Sequence, residues 1–120
     1  MTRLSALGAV LAVLLSAAGA TAHAFLDHAD PRVGSTVKNP PAQVRLWFTQ
    51  SLEPAFSGAQ VLNDAEQRVD KADSQVDSSD RTLLRISLPP LAPGTYKVIW
   101  RVLSVDSHVT EGDFTFRVAP

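Results

Sequence analysis

The stretch Thr95-Tyr96-Lys97-Val98-Ile99-Trp100-Arg101-Val102-Leu103 decides the fold. Tyr96, Val98, Trp100 and Val102 recur at every second position, the period of a half-buried β-strand and not of a helix. Upstream, Pro89-Pro90 through Pro93-Gly94 forces a turn. Before that turn, residues 81–88 put Leu84, Ile86 and Leu88 on one face. Downstream, residues 113–118 close the chain through Phe114, Phe116 and Val118. Residues 43–49 alternate in the same way, with Val44, Leu46 and Phe48 on one side and Arg45, Trp47 and Thr49 on the other. Residues 57–62 form a weaker strand ended by Asn63-Asp64. Residues 23–29 are extended up to Asp30-Pro31, where Gly34 turns the chain. The polar, acidic stretch 67–80 reads as an edge segment and loop. No segment sustains a helical period.

About seven short strands at this spacing predict an all-β fold, a Greek-key antiparallel β-sandwich. Leu91-Ala92-Pro93-Gly94-Thr95-Tyr96 resembles the tyrosine corner of immunoglobulin-like domains. Val98 stands where an antibody domain would place its second cysteine. The chain has no cysteine, so no disulfide supports the sandwich and no thiolate is available to a soft metal. Tyr96 and Trp100 therefore read as core filling and not as ligand contacts. The formal net charge is −1 and the basic residues are scattered, which argues against nucleic acid as a partner.

Residues 1–22 read as a secretory signal peptide. Arg3 supplies the positive start, residues 4–15 the apolar middle, and Ala20-Thr21-Ala22 a small-residue cleavage site. An uncleaved anchor is the alternative. Against it, the apolar run is barely long enough to span a bilayer and ends in small residues, and no basic stop-transfer flank follows. Cleavage after Ala22 leaves one domain, residues 23–120, in the periplasm, with His23 as its first residue. A terminal histidine offers its α-amine and its imidazole together, and the two can close a chelate ring on a metal.

Asp106 and His108 supply a carboxylate and a second imidazole just past the strongest strand. In an extended segment, positions i and i+2 project to one side, so the two can converge on one ion. With His23 they make three nitrogen donors and one oxygen donor, a set suited to tetragonal Cu(II), one per mature chain. The only methionine is Met1, which leaves with the signal, so no sulfur ligand remains and no Cu(I) site is expected. By strand parity His28 points away from this site and reads as a surface or structural histidine. Glu111 and Asp113 read as solvated acids, with a supporting role beside His108 as the alternative.

The chain resembles the CopC/PcoC family of exported copper-resistance proteins. The likeness is carried by His23-Ala24-Phe25-Leu26, Pro31-Arg32-Val33-Gly34-Ser35, Arg45-Leu46-Trp47-Phe48 and Leu52-Glu53-Pro54-Ala55-Phe56-Ser57. It is strongest in Trp100-Arg101-Val102-Leu103-Ser104-Val105-Asp106-Ser107-His108 followed by Gly112-Asp113-Phe114-Thr115-Phe116. The resemblance implies a Cu(II) site built from His23, Asp106 and His108, and a handover partner such as a CopD-like inner-membrane copper permease. Two features depart from the family pattern. Where many members carry a glutamate after the Trp-Phe strand, this chain reads Phe48-Thr49-Gln50, and the methionine-rich loop of some members is missing. The resemblance therefore points to the Cu(II)-only branch.

The resulting expectation is a copper carrier or buffer in copper resistance or delivery, not an enzyme. The alternative is a small copper oxidase or monooxygenase-like enzyme, since copper polysaccharide monooxygenases also place an N-terminal histidine brace on an immunoglobulin-like sandwich. Short loops leave no broad substrate face here, and Asp106 would fill a position that oxygen chemistry needs open. A metal-free adhesion sandwich is the third reading. A Ser-His-Asp hydrolase is discounted, because Ser107 lies beside its would-be partners with no nucleophile elbow around it.

Overall fold

The structure is a computed structural model that describes residues 24–120. Eight strands follow one another: β1 (Leu26–Asp30), β2 (Thr36–Val37), β3 (Gln43–Phe48), β4 (Gly58–Leu62), β5 (Gln75–Val76), β6 (Leu83–Ser87), β7 (Gly94–Leu103) and β8 (Val109–Val118). A single 3-10 turn, Pro54–Phe56, precedes β4. One sheet has the order β1-β3-β6-β5 and the other β2-β8-β7-β4. In immunoglobulin terms these are the A-B-E-D and C-F-G sheets, with β2 added beside the last strand. The β2–β8 pairing is parallel, the one departure from the antiparallel pattern expected.

Alternation explains the core. Val44, Leu46 and Phe48 of β3, Leu84 and Ile86 of β6, Val98, Trp100 and Val102 of β7, and Phe114, Phe116 and Val118 of β8 are all buried. Each such side chain stabilises the sandwich by roughly 1.5–3 kcal/mol through removal of apolar surface from water. Phe48 meets Trp100 edge-on at 5.1 Å, and Tyr96 stacks on Phe116 at 5.6 Å. Tyr96 also donates its hydroxyl to the Ala92 carbonyl at 2.5 Å, which closes the tyrosine corner. Val98, at the position of the missing cysteine, is fully buried. Packing does there what a disulfide does in antibody domains.

Two element boundaries differ from the sequence reading. The last strand begins at Val109 and not at Asp113, because β7 and β8 pair without interruption from Gly94↔Val118 to Leu103↔Val109. Gly112 stands directly opposite Trp100 within this ladder, and its missing side chain leaves room for the indole. The first strand runs Leu26–Asp30 and carries a bulge, so that Leu26 faces Phe48 while His28 already faces Trp47. The acidic stretch 67–80 contains the edge strand β5 and also seals the open side of β4. There Val61 N–H donates to Asp70 Oδ2 at 2.8 Å and Ala59 N–H to Ser74 Oγ at 3.3 Å. Side chains replace a neighbouring strand and blunt the edge.

A Cβ on residue 112 would lie 2.4 Å from Trp100 Cζ2. The rigid ring has Phe48 against it and cannot retreat freely. Gly112→Ala should therefore lose about 1–3 kcal/mol by overpacking. Chemical denaturation of the two proteins, with Trp100 near-ultraviolet dichroism as a local probe, checks this.

Candidate metal centre

The β7–β8 ladder ends in the turn 104–108, and Ser104 is its anchor. Ser104 is completely buried, and its N–H donates to the His108 carbonyl at 3.0 Å. The Ser104 hydroxyl donates to Asp106 Oδ1 in a short hydrogen bond and accepts the His108 N–H at 3.3 Å. Ser107 N–H returns to the Ser104 carbonyl at 2.9 Å, with Ser107 in the left-handed region at φ 72°. The turn is also fastened from outside: Val105 N–H donates to the Ser51 carbonyl and Glu53 N–H to the Leu103 carbonyl.

This folding brings the two expected donors together. Asp106 Oδ1 lies 3.2 Å from His108 Nδ1, with both side chains partly open to solvent. They converge through a turn that reverses at Ser107, however, and not through the alternation of an extended segment. The Ser104 hydroxyl holds the Asp106 carboxyl below the usual carboxylate range, and the neighbouring imidazole adds to the effect. A lowered carboxyl stabilises the folded state above the ordinary aspartate value of about 3.9, and that contribution fades as pH falls through the lowered value. Ser104 is buried and spends its hydroxyl on the carboxylate and the backbone of its own turn.

The first described residue belongs to the same end of the sandwich. Thr110 Oγ1 donates to the Ala24 carbonyl at 2.6 Å, and Ala24 is completely buried. Thr110 and His108 are two apart on the approach to and within β8, while Val109 between them is exposed. Phe25 N–H donates to Thr49 Oγ1 and Thr49 N–H to the Phe25 carbonyl, each at 2.9 Å, so the chain before β1 stays fastened to the end of β3. His23 and the signal segment 1–22 lie outside the described residues. Among the described residues no group of three or more histidine, aspartate or glutamate side chains gathers to hold a metal, so Asp106 and His108 stand as a pair.

The remaining polar candidates fall elsewhere. His28 is on the outer face of the first sheet, stacked on Trp47 at 4.4 Å and bonded through Nδ1 to Asp27 at 2.7 Å. It is a surface histidine, as the sequence reading expected, and the bulge between Leu26 and His28 sets its register opposite Trp47. Glu111 projects from the exposed face of β8 into an ion pair with Arg101 at 2.8 Å, and Asp113 is exposed two residues further along that face. The residue that the sequence reading missed is Ser104. A small polar side chain at an inward strand position was the available signal, since such a residue needs a hydrogen-bond partner when buried.

The CopC domain model matches residues 26–119. The chain belongs to the CopC family. It is 34% identical over 111 residues to protein YobA of Escherichia coli K12, covering 92% of this chain and 90% of that one. Copper resistance protein C of Pseudomonas syringae pv. tomato is 33% identical over 111 residues, with 88% and 87% covered. The crystal structure of CopC from Methylosinus trichosporium OB3b superposes with a TM-score of 0.73 at 35% identity, covering 82% of this chain and 95% of that one. As a CopC protein the chain is a copper-binding protein of copper resistance and not an enzyme. In this CopC domain, the hairpin turn that carries Asp106 and His108 sits beside the start of β1.

Ser104→Ala removes the hydrogen bond that does most to lower Asp106 without touching either donor side chain. The Asp106 carboxyl should then titrate at higher pH. A carboxyl-carbon NMR titration of wild type and variant measures the shift, and an unchanged value would mean that His108, not Ser104, governs the carboxylate.

Proposed function

We propose that the mature chain is a periplasmic Cu(II) carrier or buffer with one metal centre, formed by the amine and imidazole of His23, the carboxylate of Asp106 and the imidazole of His108. The observation that carries this reading is the Thr110–Ala24 hydrogen bond. One peptide bond joins His23 to Ala24, a reach of about 3.8 Å between Cα atoms. A buried Ala24 bonded beside the hairpin turn supports the reading of His23 as a ligand alongside Asp106 and His108.

The donor set supports the oxidation state. Amine, imidazole and carboxylate are hard or borderline ligands that suit tetragonal Cu(II), whereas Cu(I) prefers thiolate and thioether donors. The chain has no cysteine, and its one methionine is Met1. Copper here is cargo. The protein's task is to hold it out of solution and release it, and we propose a CopD-like inner-membrane copper permease as the recipient. Export with cleavage after Ala22 is part of the same reading, because only cleavage frees the amine.

Intact mass of the exported protein should show a chain that begins at His23 and gains one Cu(II). Binding should weaken as pH falls through the amine range, about 7.7–8.0, and the imidazole range, about 6.5, because Cu(II) must displace those protons. A Gly retained before His23 turns the amine into an amide and should lower Cu(II) affinity by orders of magnitude without changing the fold. Equal affinity of the two forms in competitive titration would overturn the brace.

His108→Ala and Asp106→Ala should each lower Cu(II) affinity by more than the roughly 10–100-fold typical of supporting residues, His108 the more. His28→Ala should leave it unchanged. Titration of the three variants side by side tests the assignment of ligands.

A further inference from the structure

A hollow of about 320 Å³ lies on the outer face of the second sheet, at its β4 edge. That volume is at the small end of the roughly 300–1,000 Å³ usual for ligand pockets. Its floor is open because Gly58, which projects onto this face, has no side chain; a Cβ there would already press Ser74 Oγ at 3.2 Å. Ile99 and Phe56 supply apolar walls, and Phe56 is 66% exposed. Most of this aromatic ring is open to solvent at the rim of the hollow.

Two arginines complete the hollow, Arg68 and Arg101. Each is held by its Nε alone. Arg68 Nε bonds both oxygens of Asp70 at 2.9 Å, and Arg101 Nε bonds Glu111 at 2.8 Å. Neither guanidinium has another hydrogen-bond or ion-pair partner among the described residues, so the terminal Nη groups of both remain available. The Asp70 carboxylate is fully buried and is also bonded by the Val61 and Ala72 N–H groups, each at 2.8 Å. Its charge is therefore spread over the backbone, and it neutralises Arg68 only in part. An Nε-anchored guanidinium with its Nη groups unused is preorganised for a carboxylate, the planar anion that its geometry matches.

We propose that this hollow binds an organic carboxylate with an apolar body. The carboxylate lies against the Nη groups of Arg68 and Arg101, and the apolar body lies on Phe56 and Ile99. The site is separate from the metal centre, since none of its lining residues is His23, Asp106 or His108. It does not depend on the copper reading.

3-Phenylpropionate is the probe, titrated into the metal-free mature protein and followed by nitrogen–proton NMR. We expect saturable shifts confined to Phe56, Gly58, Gln60, Ser74, Ile99 and Arg101, with a dissociation constant on the order of a millimolar for a ligand this small. Arg101→Gln and Arg68→Gln should each weaken binding roughly tenfold or more, the effect of losing a charged hydrogen bond. Both variants should keep the wild-type Cu(II) titration, so a failure of this site and a failure of the metal centre are told apart. Arg101→Gln should keep the wild-type melting temperature, whereas Arg68→Gln should lower it, because buried Asp70 loses its guanidinium partner. Acetyl-Ala-Ala-Phe with a free carboxyl terminus distinguishes the source of the acid: tighter binding than 3-phenylpropionate assigns the site to a peptide terminus, weaker binding to a free small acid. Equal binding of the neutral 3-phenylpropionamide, shifts scattered over the surface, or arginine variants that bind as wild type would overturn the proposal.

Discussion

The uninterrupted pairing of β7 with β8 is the constraint on which the rest of the structure depends. Ten cross-strand pairs run from Gly94↔Val118 to Leu103↔Val109, and a slip of one residue would turn every inward side chain out. Tyr96, Val98, Trp100 and Val102 on one strand and Phe114, Phe116 and Val118 on the other can be buried only in this register. The fit of Trp100 on Gly112 supports it, because the indole occupies the space that a side chain at 112 would take. The same register fixes where the ladder stops. The turn at 104–108, with Asp106 and His108, is therefore placed by the core and not by its own loop chemistry.

Ser104 links the two. It is completely buried at the end of the β7–β8 ladder, and its hydroxyl organises the turn beyond. With its donor on Asp106 and its acceptor used by the His108 N–H, both candidate ligands are referred to one rigid atom. The Thr110–Ala24 bond performs the corresponding task for the N-terminal segment. The result is a pattern of buried supports beneath a partly exposed carboxylate and imidazole.

The two faces of β7 and β8 carry different chemistry. The inner face makes the core and, at its end, the candidate metal centre. The outer face carries the Arg101–Glu111 pair and, across β4, the hollow with Arg68 and Phe56. The chain thus separates a site whose donors suit a cation from one whose guanidinium groups suit an anion. A single sheet insulates one from the other.

The sequence by itself determined the sandwich and nearly all of its core, because period-two alternation depends only on neighbours along the chain. Val44, Leu46, Phe48, Leu84, Ile86 and Phe116 were legible in this way, as was the tyrosine corner, whose donor and acceptor are four residues apart. Residue types also determined which donors the chain can offer a metal, since the lack of cysteine and the single methionine, Met1, are matters of composition. Only the tertiary structure decided the rest. The true start of β8 at Val109, the bulge that sets His28 opposite Trp47, and the parallel β2–β8 pair arise from contacts between segments far apart in sequence. So does the junction of Ala24 with Thr110, which spans 86 residues. Local patterns state which side a residue faces, but which residues meet across the sandwich is set by packing that no local pattern encodes.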